Sequence, residues 1–241
     1  MKMATRYPFI LFVLGSYFAN AQDVASGKLE LCIKDSSSIL MMPVNEILSQ
    51  ATSLKPSQTG GSVTALSATL GTSLFIMAFQ ISRRMEKDSV RKHNLNDLIN
   101  NLKEELKLIS CFVDRDKEIY FQFLAVGKLP AKTEKEKLYK DSCTQATLKN
   151  ATVLPLDAAK RINAILKMAG EHTNLSSPKV STDLNAATLI LSSAEEGMLS
   201  FAEYNATNLV GNETKSLKAD CNSIRAQGKT LVTDLLKKIP K

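Results

Sequence analysis

From Asn94 to Val126 the chain runs without a single glycine or proline, and its apolar residues recur every three or four positions. Leu95, Leu98, Leu102, Ile109, Phe112, Val113, Tyr120 and Phe123 form one stripe. A repeat near 3.6 over that length can only be an amphipathic helix, and a helix with one apolar side must pack against others. The rest of the sequence has the same character. The ten glycines and seven prolines of the 241 residues cluster between periodic segments. A short helix opens at Pro43 and carries Val44, Ile47 and Leu48. The next follows Gly60-Gly61-Ser62 and bears no charge before Arg83. It is apolar enough to raise a membrane span, but seven Ser, Thr and Gln side chains within it favour the centre of a helical bundle. Thr133 and Glu136 make a capping box, and that helix is expected to stop before Pro155. Three more are expected: around Ala159–Leu166, through Ala187–Phe201, and over Leu217–Ile239. Only Lys28 to Ile33 hints at a strand. The expected fold is all-α: a single up-and-down helical bundle of about six to seven helices.

The first residues read as an address. Basic Lys2 and Arg6 precede an apolar run from Pro8 to Phe18, which closes on the small residues Ala19-Asn20-Ala21. This is the layout of a cleaved signal peptide, so residues 1–21 are assigned as leader and 22–241 as the domain. The expected location is secreted, with no membrane contact once the leader is gone. Without the leader the net charge falls two units below the +7 of the whole chain. The basic residues are spread among Asp and Glu with no interleaved aromatic residues, so nucleic acid is not expected as a partner. Cys32, Cys111, Cys143 and Cys221 make an even count that suits an oxidising compartment and two disulfides, with three connectivities open. No C-x-x-C pair is present and only two histidines, so no metal site is expected. Sequons begin at Asn150, Asn174, Asn205 and Asn212. Glycans are expected among Asn150, Asn174 and Asn212, and none at Asn205, which lies on an apolar stripe.

Carboxylates on the apolar side are the chemical signal. Continuing the long stripe, Asp116 falls on the core side, whereas Asp114 lies about 200° away and should face solvent. Asp183 and Asn205 flank the stripe of Ile190, Ala194 and Met198 in the same way. An inward carboxylate is costly unless bonded, so it either caps a helix or lines a pocket, and Asp183 near a helix start suits a cap. Gly60-Gly61-Ser62 at a helix start could offer backbone N–H groups to an anionic or carbonyl ligand, or could serve simply as a turn and cap.

In order along the chain, Pro56-Ser57-Gln58-Thr59-Gly60-Gly61-Ser62 with Ala65-Leu66 resembles the P-T-P-G-G-G-S-x-x-A-L opening of the cyclodeaminase/cyclohydrolase family. This is the C-terminal domain of formiminotransferase-cyclodeaminase and its stand-alone relatives. Asp116 with Tyr120-Phe121 and Leu129-Pro130 resembles that family's D-x-x-A-[FY] helix ending in L-P-K. Thr133, Glu136, Lys140, Ala151 and Pro155-Leu156 are similar to its T-x-E-E…R…A-x-x-V-P-L stretch. Thr182-Asp183-Leu184 resembles its S-D-L, and Asn205 the second Asn of its N-V-x-I-N.

The resemblance implies a homodimeric helical bundle that binds a reduced folate, with a tetrahydrofolate derivative as substrate and no permanently bound cofactor. It implies Asp116 and Asp183 as catalytic acid and base, since ring closure with loss of ammonia needs proton transfer. Gly60, Gly61, Ser62, Lys140, Thr182 and Asn205 are the implied ligand-binding residues. Three positions depart from the pattern: Thr59 replaces a Gly, Gln58 a Pro and Phe201 the first Asn of the late pair. With the exported character of the chain, they favour a diverged, secreted member that binds a small molecule or a partner. An active formiminotetrahydrofolate cyclodeaminase or methenyltetrahydrofolate cyclohydrolase is the alternative reading.

Overall fold

The structure is a computed structural model that describes residues 30–53, 58–211 and 213–240. The expected leader, Pro56-Ser57 and the Asn212 sequon lie outside them. Six α-helices follow in order: α1 (Val44–Ala51), α2 (Gly60–Met85), α3 (Ser89–Gly127), α4 (Glu134–Glu171), α5 (Ser181–Ala206) and α6 (Glu213–Lys238). No strand occurs among the described residues, including the part of Lys28–Ile33 that falls within them. The all-α bundle expected from the sequence is what is found.

Each start is marked by a local bond. Thr59 caps α2 by accepting from Ser62 N, Asp88 caps α3 by accepting from Arg91 N, and Thr133 and Glu136 close the expected box on α4. Short connections make consecutive helices antiparallel. Helices α2, α3, α4 and α5 form a four-helix ring, and α6 lies in the groove between α4 and α5. Phe75, Phe79, Leu95, Leu102, Leu106, Ile162, Ile165, Leu166 and Leu184 fill the centre. Helix α2 has the length and hydropathy of a membrane span, but twelve of its residues are buried inside the bundle.

Close approach of α2 and α5 sets their register. A Cβ on Gly71 would come within 3.4 Å of Leu191 and Ile190, one on Gly197 would meet Thr64, and one on Gly60 would meet the Phe201 ring at 2.8 Å. The pairs 60/201, 64/197 and 71/190 run in opposite directions, as antiparallel helices must.

Helix α4 corrects the expected break at Pro155. It runs through the proline to Glu171. A proline in mid-helix leaves the carbonyl four residues back without its N–H donor. Here that carbonyl belongs to Ala151, and Asn205 Nδ2 on α5 donates to it at 2.8 Å. A side chain fifty residues downstream fills the gap, and the helix continues.

The stripe of α3 also outruns the core. From Asp114 to Ala146 no residue is buried. The last four turns of α3 and the first three of α4 extend past the other helices as a two-helix arm. Tyr120 and Phe123, read from the sequence as core, are 40% and 42% exposed there.

One disulfide joins Cys32 to Cys111, with Cα atoms 4.9 Å apart. The expected second bond is absent: Cys143 and Cys221 are free thiols. Contacts at Lys149–Glu213 and Asn163–Ile224 set α4 parallel to α6 and place Cys221 level with Ala159. Cys143 lies sixteen residues away on α4, about 24 Å at 1.5 Å per residue, far beyond the reach of a disulfide.

Candidate functional site

The first turn of α2 and the root of the arm meet at one carboxylate. Asp116 Oδ2 accepts from Thr59 Oγ1 and from Ser62 N, the latter at 3.1 Å. Glycine is required beside it, because a Cβ on Gly61 would lie 2.3 Å from Asp116 Oδ1. Burial pushes the Asp116 carboxyl above its ordinary range, while the bonds from Thr59 and Ser62 pull the other way. A half-buried carboxyl shifted upward and set against a helix N-terminus is the kind of group that can exchange a proton with a ligand.

The chain itself occupies the space around this group. Thr59 is both helix cap and Asp116 donor, and its hydroxyl also bonds Ser62 Oγ at 2.7 Å. The Phe201 ring stands beside Gly60, which stays exposed. Ser62 is fully buried, so its N–H is committed to Thr59 and Asp116.

The other sequence-derived residues are dispersed. Asp183 stands in the first turn of α5, where its charge suits the helix dipole. By the register above it is level with Met77 and Ala78. That puts it about 27 Å along the bundle axis from Gly60, so Asp116 and Asp183 do not share a site within one chain. Thr182 lies exposed beside Asp183. Lys140 Nζ donates to the carbonyls of Gly127 and Leu129, at 2.7 and 3.1 Å, and so caps the C-terminus of α3. Asn205 serves Pro155, a structural task. Asp114 is not turned to solvent: it accepts from Ser38 Oγ and Ile39 N and holds the N-terminal segment against α3. The sequence gives no local sign of this, because the segment that covers Asp114 is some 75 residues away.

Asn150 and Asn174 are exposed. Asn150 opens onto a groove of about 790 Å³ between α3 and α4, whose charges are largely paired as Arg161–Glu105 and Lys160–Asp157. Neither Asp116 nor any residue of the first turn of α2 lines that groove. No group of three or more His, Cys, Asp or Glu fit to hold a metal occurs among the described residues.

Three comparisons bear on this arrangement. A family model described as formiminotransferase-cyclodeaminase matches residues 43–223. Formimidoyltransferase-cyclodeaminase of Gallus gallus is 28% identical over 190 residues, which cover 74% of this chain and 34% of the relative. The chain thus spans about a third of that relative's length. Among solved structures, formiminotetrahydrofolate cyclodeaminase of Thermotoga maritima superposes with a TM-score of 0.73 at 14% identity, covering 83% of this chain and 97% of the other. At that identity the likeness is one of fold.

Proposed function

The chain belongs to the formiminotransferase-cyclodeaminase family, and we propose that it is a secreted member whose one-carbon site binds a folate-like small molecule without efficient turnover. The carrying observation is the closure of Asp116. Its Oδ2 accepts from Thr59, a side chain where the family pattern has glycine, and the Phe201 ring stands beside Gly60 where the pattern has asparagine. A general acid or base must reach the substrate's proton, and an oxygen held by an internal hydroxyl is not offered to it. Binding uses what remains: the N-terminus of α2 at Gly60 and Gly61, with a tetrahydrofolate derivative as ligand and no resident cofactor. The Cys32–Cys111 bond and the exposed Asn150 and Asn174 sequons support export, with residues 1–21 as leader and 22–241 as the mature domain.

The same proposal includes a homodimer. Val63, Leu70, Met77 and Ile81 form an exposed apolar stripe along α2, continued on α5 by Leu189, Ile190 and Phe201. A two-fold axis near Leu70 would set two α2 helices antiparallel. It would then bring the partner's Asp183 end to the Gly60 end of this chain, joining two half-sites that one chain keeps about 27 Å apart. Leu70→Glu is expected to yield monomers in sedimentation and to abolish ligand binding. Binding retained by a monomer would refute the shared site.

The raised Asp116 carboxyl favours a second reading, an active cyclodeaminase or cyclohydrolase. One experiment separates the two. Tetrahydrofolate derivatives are titrated by calorimetry, and ammonia release is assayed for the natural chain and for the double variant Thr59→Gly/Phe201→Asn. Binding without ammonia by the natural chain, with release rising at least about 100-fold in the variant, is the expected result. Ammonia release by the natural chain that is lost in Asp116→Asn would establish the active enzyme instead.

A further inference from the structure

On the far side of α5 from Asp116 a second carboxyl is buried more deeply. Glu195 is 4% exposed, and its Oε1 has no hydrogen-bond partner. The side chain that faces it is Asn163 on α4. Asn163 Nδ2 donates to the carbonyl of Ile224 on α6 at 3.0 Å, and Asn163 Oδ1 is also without a partner. On the α6 side the carboxyl fills the space above Gly228, where a Cβ would lie 2.0 Å from Oε2.

Two buried acceptors cannot satisfy each other. If Glu195 is ionised it can take a second Nδ2 hydrogen, but Asn163 Oδ1 is still stranded. If Glu195 carries a proton, one O–H···O bond satisfies both orphaned atoms, as buried polar groups require. We infer that Glu195 is the neutral acid in the folded protein, donating to Asn163 Oδ1, and that this bond is a pH-sensitive latch clamping α6 onto α4 and α5.

The surroundings agree. Helix α4 presents Asn163, which carries no charge, and α2 has no ionisable side chain before Arg83. The nearby charges are Glu196 on α5 and Arg225 on α6. Arg225 is spent on Glu196 and Glu203, which it grips through Nε and both terminal nitrogens. Burial raises the Glu195 carboxyl to about 7, against 4.5 for an ordinary glutamate, outweighing the opposing bond with Asn163 and charge of Arg225, with Glu196 adding to the rise. An acid whose folded value is raised binds more protons folded than unfolded. Folding stability therefore falls as pH rises from 4.5 toward about 7 and levels off above that. Slightly alkaline conditions loosen α6, and acidic ones fasten it.

Helix α6 carries its own reporter, since Cys221 is wholly buried and free. The test measures labelling of Cys221 by an aromatic disulfide in a Cys143→Ser background, with and without Glu195→Gln. The glutamine amide keeps the bond to Asn163 Oδ1 at every pH. Comparing the two proteins at one pH cancels the reactivity of the thiol itself. At about pH 8 the parent should label roughly tenfold faster than the Gln variant, and at about pH 5 the rates should converge. A rate ratio that does not change with pH overturns the latch. Infrared spectra of the natural chain supply the second measurement: a buried protonated-carboxyl band should be present at about pH 6 and fade by about pH 8, and should be missing from Glu195→Gln. The same band in both proteins would also overturn it.

Discussion

Reduction of the Cys32–Cys111 bond is expected to lower the unfolding free energy by about 2–4 kcal/mol. The bond closes a loop of 79 residues that contains α1 and α2 and most of α3. In the chain-entropy account, a loop of this length strongly restricts the unfolded ensemble. Residues 30–42 are also held by packing, since Ile39 is buried in the core and Leu31, Leu40 and Met42 lie against it. The ion pairs Glu30–Lys107 and Lys34–Glu118 are exposed and contribute little. Cys32 N donates to Ser110 Oγ, and Asp114 holds Ser38 and Ile39. Guanidinium titrations with and without a thiol reductant measure the difference directly. Equal midpoints would show that the N-terminal segment is held by Asp114 and packing alone.

Gly61→Ala should be the most damaging small substitution at the site. Its methyl would lie 2.3 Å from Asp116 Oδ1, so the carboxyl must leave. Helix α2 then loses the Ser62 N–H and Thr59 bonds to Asp116, and a half-buried carboxyl is left without its donors. Overpacking and orphaned polar groups together cost about 2–4 kcal/mol. Ligand binding at the α2 N-terminus should disappear as well. Gly127→Ala is the control: a Cβ there meets nothing within 4 Å, and alanine is the better helix former by up to about 1 kcal/mol. Opposite signs for the two substitutions, read from denaturation midpoints, are the expected outcome. A neutral Gly61→Ala would mean that Asp116 has room to move aside.

What could be read in advance followed the range of the interaction. Helix periodicity, the Thr133–Glu136 box and the inward turn of Asp116 are local and were legible from spacing alone. Pro155 was misread because its remedy, Asn205, lies on another helix, and no local rule links the two. Lys140 and Asp183 sit where the family pattern puts them in sequence. Their partners, though, are a helix end and a helix start, roles that spacing cannot separate from ligand contact. The count of four cysteines suggested two bonds. Parity carries no distance, and the α4–α6 register keeps Cys143 and Cys221 apart. The stripe through Tyr120 and Phe123 showed which side of α3 is apolar, but not where the neighbouring helices end.

That overhang makes α3 a helix of two halves. Up to Val113 it is locked by the core; beyond that it is held by its pairing with α4, the Lys140 cap and, at the root, the bonds that Asp114 accepts from Ser38 and Ile39 and Asp116 from Thr59 and Ser62. Amide hydrogens should therefore exchange along a gradient, fast toward Gly127 and slow from Phe112 inward, without the bundle opening at all. Asp116 stands at the turning point of that gradient. Each fraying event that reaches the root of the arm would free its carboxyl from Thr59 and Ser62 for a moment. On the proposal of a closed site, such events would give it an intermittent open state whose frequency depends on the length of the helix pair.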